Sequence, residues 1–138
     1  MSTAILWPIL AHIGLVFFLY AWLSYVRVRA VRAGRVQYGC FGFGRDEPPD
    51  IARITRNLGN QFELPVIAYA VVLLLMQFGA LGAWDVAFAW VFFAGRVIHT
   101  GVQTLTDDVP LRGRMCTINF VACPALARHL ALVALRAV

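Results

Sequence analysis

Four apolar stretches constrain this chain more than anything else in it. Residues 4–26, 51–79, 84–105 and 111–135 are each long enough for a helical membrane pass, which takes about 20 mostly apolar residues. The segment between the second and third stretches is too short for a soluble domain, so those two helices must be antiparallel neighbours. The expectation is an all-α fold in one domain over residues 1–138: an integral membrane four-helix bundle with antiparallel, up-and-down spans. Composition agrees. The chain is 61% hydrophobic with mean hydropathy +0.74, against about 45–50% apolar residues in an ordinary soluble domain. The first stretch lacks a basic leader and is long enough to span, so it reads as a span rather than a cleaved signal.

Charge gives the orientation. The formal charge is +5, from 12 basic and 7 acidic residues, and every basic side chain is arginine. Seven arginines lie between Arg27 and Arg56, offset by Asp46, Glu47 and Asp50. A basic block can bind nucleic acid. This one directly follows an apolar span, so the positive-inside rule explains it better, and no nucleic-acid partner is expected. Residues 27–56 and 105–114 are then cytoplasmic, with both termini on the other side. A bacterial inner membrane is the expected location. Cys40, Cys116 and Cys123 imply no disulfide framework and no metal knuckle.

The loop QYGCFGFGRDEPPD has three glycines but no Lys-Ser/Thr pair and no preceding strand, so it is not a phosphate loop. A packed turn or re-entrant lip is expected there, with Phe41 and Phe43 dipping toward lipid. Pro48 and Pro49 stop any helix, and Asp50 is placed to cap the next one. Pro65 should kink the second span or loosen one of its hydrogen bonds. Pro110 suits the start of the fourth. His12 reads as a satisfied histidine between helices or at the interface.

Polar residues within apolar stretches carry the functional signal, because ionisable groups at membrane depth are costly unless they face a bundle interior, a cavity or headgroups. Arg53, Arg56, Asn60 and Glu63 are spaced to share one side of a helix. Arg96, His99 and Gln103 repeat the theme in the third stretch, and Arg112 and Arg114 open the fourth. The excess of guanidinium groups would attract an anion, with a carboxylate suited to the planar fork. A lipid headgroup suits it equally well. Arg53 and Arg56 could instead snorkel to lipid phosphate.

Two blocks carry a family resemblance: RITRNLGNQFELP at 53–65 and RVIHTGVQTLTDDVPLRGR at 96–114. The chain resembles the MAPEG superfamily, the membrane-associated proteins in eicosanoid and glutathione metabolism. The second block is similar to the family's prostaglandin synthases in Arg96, His99, Thr100, Pro110 and Arg112. The resemblance implies a homotrimer of four-helix bundles binding glutathione as cosubstrate, without a metal, and transferring it to a hydrophobic small molecule, with membrane lipids as further partners. It implies that Arg27 (or Arg29), Arg53, Arg56, Asn60, Glu63, Arg96, His99 and Gln103 hold glutathione or brace its pocket. It implies that Arg112 is catalytic and stabilises the thiolate. Gln103 stands where the family has tyrosine, and Gly113 where the prostaglandin synthase has serine. The alternative is a noncatalytic membrane protein of the same fold that binds a lipid or small anion.

Overall fold

The computed structural model describes residues 3–42, 47–106 and 108–136. All regular structure among them is helical. A 3-10 turn at Thr3–Ile5 leads into α1 (Leu6–Arg32). A second 3-10 turn, Tyr38–Phe41, precedes α2 (Pro49–Asn60), α3 (Leu64–Gln77), α4 (Ala83–Leu105) and α5 (Val109–Arg136). Helices satisfy every backbone polar group within the segment, which is what lipid requires.

Three helical stretches are long and apolar enough to cross a membrane: Thr3–Arg32, Pro49–Gln77 and Pro110–Arg136. The protein is an integral membrane protein. The stretch expected at 84–105 also forms a helix, α4, but it does not share that apolar character, because it carries buried Asp85, Arg96, His99, Thr100 and Gln103. Its polar groups face the protein and not lipid. The surface is the reverse of a soluble one. Trp7, Phe17, Phe120 and Trp84 are exposed, whereas His12, Asn57, Gln61 and Asn119 are buried.

The second stretch is broken in two. Arg53, Arg56 and Asn60 lie on α2, but α2 ends at Asn60 and Glu63 lies beyond it, at the N-cap position of α3. Glu63 therefore does not continue their helical face as its spacing predicted. Pro65 does more than kink a continuous helix. It occupies the first turn of α3, where a missing N–H costs nothing.

Helix ends follow local chemistry. Gly34 (φ 68°) and Gly79 (φ 64°) adopt the left-handed conformation just past α1 and α3. The paired bonds Arg35 N to Ala30 O and Gly34 N to Val31 O, and Ala80 N to Leu75 O and Gly79 N to Met76 O, close both ends as Schellman motifs. Asp50 does not cap α2, whose N-cap is Pro48. Its carboxylate instead takes two 3.1 Å bonds from Arg35. Asp108 Oδ1 accepts the Leu111 amide at 2.7 Å and caps α5.

Apolar packing is split into three groups. Leu19, Leu23, Ile51, Ile54 and Leu58 join α1 to α2, with Phe41 packed against them. Phe41 thus turns toward the protein and not toward lipid, while Phe43 lies outside the described residues. Ile5, Val72, Leu75, Ala89 and Leu126 form a second group, and Ala68, Phe92, Ala122 and Cys123 a third. Between them runs a layer of buried polar side chains.

Candidate functional site: two grooves joined by a buried amide relay

The polar layer is ordered by Arg96, since a guanidinium can only donate. Its Nε donates to Gln61 Oε1 at 2.9 Å, so that oxygen faces α4. His12 Nε2 sits 3.0 Å from the same oxygen and must carry the proton. His12 Nδ1 is left as an acceptor, and the Tyr69 hydroxyl donates to it. The His12 expectation, a satisfied histidine between helices, matches this arrangement.

The other end of Gln61 donates. Its Nε2 lies 3.0 Å from Asn57 Oδ1 and 3.3 Å from Thr100 Oγ1. Thr100 Oγ1 also donates to Asn57 Oδ1 at 3.1 Å. Asn57 Nδ2 then donates to Gln103 Oε1 at 3.1 Å, and Asn60 Nδ2 reaches the same oxygen at 3.1 Å. A relay of amides thus links Arg96 to Gln103 across α2 and α4. Every step is fixed in direction by the one before it.

The expected site residues lie on two sides of this relay. A groove of about 270 Å³, lined by the start of α2, the end of α4 and the start of α5, holds Arg53, Arg56, Gln103 and Arg112. A second, of about 710 Å³, holds Asn60, Glu63, Arg96 and His99, with Cys116, Thr117, Asn119 and Phe120 across from them. The Asn60–Gln103 bond connects the two. Arg27 lines neither. Its guanidinium is 2.8 Å from Glu47 Oε1 and 3.0 Å from Thr55 Oγ1, and it stacks 4.9 Å from the Phe41 ring centroid. It braces the loop ahead of α2.

Three residues that line the second groove also carry buried polar atoms without partners. Arg96 Nη2, His99 Nδ1 and both side-chain polar atoms of Asn119 are buried without a partner. Such atoms are costly to bury. Glu63 stands exposed at the rim. No cluster of His, Cys, Asp or Glu among the described residues could hold a metal ion.

The model of the MAPEG family matches residues 9–132. The chain belongs to the MAPEG family. The matched segment takes in most of α1, all of α2 to α4 and most of α5, so the family assignment covers both grooves. Neither a curated protein nor a solved structure matches the chain.

Asn57, Gln61 and Asn119 were not anticipated as members of this MAPEG site. Asn57 and Gln61 could have been found, because Arg53, Asn57 and Gln61 recur every four residues and form a stripe beside Arg56 and Asn60. Asn119 carries no such signal. It stands alone between apolar neighbours on α5.

Proposed function

We propose that this MAPEG protein is a glutathione-dependent transferase or peroxidase acting on a hydrophobic electrophile. The observation that carries the reading is the convergence of Arg53, Arg56 and Arg112 on one groove. Three guanidinium groups suit a ligand with two carboxylates, and Arg112 is left to face its thiol. A free thiol has a pKa of about 8.5 and is mostly protonated at neutral pH. A guanidinium beside it favours the thiolate, the attacking species. The sulfur then bonds to the electrophilic centre, whose displaced electron pair leaves with a proton from solvent. Asn60, Glu63, Arg96, His99 and Gln103 would bind or orient the tripeptide. The hydrophobic electrophile would enter from the bilayer.

This reading includes a homotrimer with up-and-down spans, in a bacterial inner membrane among lipids, with residues 27–56 and 105–114 on the cytoplasmic face. The test is calorimetric titration of glutathione into detergent-purified protein, with Arg56→Ala as control. Saturable binding that disappears in the variant supports the pocket. An absence of binding across the millimolar range in folded protein refutes it.

One observation favours the noncatalytic alternative. Gln103, at the family's tyrosine position, spends its carbonyl oxygen on Asn57 and Asn60. A side chain so engaged serves the scaffold, and the same grooves would then hold a lipid headgroup or small anion. Tight glutathione binding without turnover on any electrophile would select this reading.

A further inference from the structure

We propose that the second half of α1 carries a site for one anionic phospholipid, whose phosphate is held between Arg29 and Arg32. Phe18, Trp22, Tyr25, Arg29 and Arg32 follow one another at helical spacing and form one stripe along α1. The stripe has the chemistry of a phospholipid laid beside it, in the same order. Aromatic rings come first, a phenol next and two guanidinium groups last. Phe18 lies about 16 Å along the axis from Arg29, close to the depth of hydrocarbon in one leaflet, about 15 Å.

The surface is shaped as well as charged. Two clefts meet at Tyr25 and Arg29. One, of about 490 Å³, runs from Trp22 to the Arg35–Asp50 pair. The other, of about 270 Å³, lies between Tyr25 and Arg32. Trp22 packs against the apolar group that joins α1 to α2, and its ring centroid is 5.8 Å from that of Phe18. That wall is held by the core. Tyr25 is 62% exposed, and a phenol suits the level between acyl chain and headgroup.

Charge decides the occupant. Of the four arginines from Arg27 to Arg35, Arg27 is paired with Glu47 and Arg35 with Asp50. Among the described residues, Arg29 and Arg32 have no ion-pair partner, and both are exposed. Three residues apart on a helix, their guanidinium groups can converge on one phosphate. They also offset the partial negative charge at the end of α1, but that amounts to about half a charge against two. A phosphate diester balances the excess. A zwitterionic headgroup would bring its own cation to the same place. Free phosphate shares the charge but leaves the aromatic part of the stripe without an occupant. Asp50, on the wall of the larger cleft, opposes the phosphate and limits its affinity.

Neither groove described above contains a residue of α1, so the site does not depend on the glutathione reading. The experiment uses detergent-purified full-length protein without glutathione. It is mixed with equal amounts of dioleoyl phosphatidylglycerol and dioleoyl phosphatidylcholine, and retained lipid is read by native mass spectrometry. The parent should retain phosphatidylglycerol about tenfold over phosphatidylcholine. Arg29→Gln and Arg32→Gln should each lower that retention about fivefold, and together they should abolish the preference. Arg29→Lys should keep most of it, because an ammonium group still binds phosphate. Asp50→Asn should raise retention about threefold, which tests the site by a gain even if the glutamine variants do not fold. Millimolar inorganic phosphate should leave the lipid in place. Equal retention of the two lipids by the parent, a preference that survives the folded double variant, no gain in Asp50→Asn, or displacement by inorganic phosphate would each overturn the proposal.

Discussion

Arg96 and Gln61 meet through a single 2.9 Å hydrogen bond, and that bond sets the direction of the buried polar layer. Because the guanidinium has no acceptor, Gln61 cannot flip without losing it. The proton position on His12 and the order of donation through Asn57 to Gln103 both follow. The layer then has one hydrogen-bonding arrangement, not several of similar energy. Such order keeps polar groups tolerable deep in a membrane protein.

Replacing Gln61 should consequently damage the fold more than any surface change. Gln61→Leu strands Arg96 Nε and His12 Nε2, each costing about 1–3 kcal/mol if nothing compensates, whereas Asn57 Oδ1 keeps the Thr100 hydroxyl. Thermal unfolding in detergent should show a large loss. A melting temperature within error of the parent would mean that the relay is not a stabilising unit.

Gly95 and Asn119 should behave as a coupled pair. A Cβ on Gly95 would lie 2.5 Å from Asn119 Oδ1 and 3.0 Å from Ile118 Cγ2. Gly95→Ala must therefore displace the Asn119 side chain or part α4 from α5, at about 1–3 kcal/mol. Asn119→Ala removes the obstructing amide along with two unpartnered polar atoms, so it should be close to neutral alone and recover part of the Gly95→Ala loss. Additive effects in a double-mutant cycle would contradict this.

At the opposite end of α4, Asp85 holds two partners. Its Oδ2 accepts the Gly82 amide at 2.7 Å and its Oδ1 bonds to His129. Asp85→Ala removes a helix cap together with a tie to α5 and should cost about 1–2 kcal/mol. His129→Ala spares the cap and should cost less. Chemical denaturation of the two variants side by side gives the order, and the reverse order would show that the cap contributes little.

If glutathione occupies the arginine groove, Arg112→Ala should leave the protein folded and reduce the bound thiolate at neutral pH by about tenfold or more. The thiolate absorbance near saturation with glutathione reads this directly. Unchanged absorbance and turnover would remove Arg112 from the chemistry.

Much of this was readable from residue order alone. Helices long and apolar enough to cross a bilayer depend on local composition, so the sequence settled an all-α membrane protein. The spacing of Arg53, Arg56 and Asn60 reports one face of α2 for the same reason, since helical periodicity is local. Two local readings failed where a neighbour won the competition. Asp50 pairs with Arg35 across the loop instead of capping α2. Glu63 is lost from the helical face because the chain breaks before Pro65.

Which polar groups find partners was decided only by tertiary packing. Arg27 looks like the other arginines in sequence, yet Glu47, Thr55 and Phe41 hold it away from both grooves. Gln61 looks like an ordinary amide, yet it joins three helices because α1, α2 and α4 converge on it. Asn119 reaches the groove because Gly95 lets α5 approach α4. A hydrogen bond requires a partner within about 3 Å in the right direction. Order along the chain specifies the donors and acceptors, and only the packing of helices specifies which of them meet.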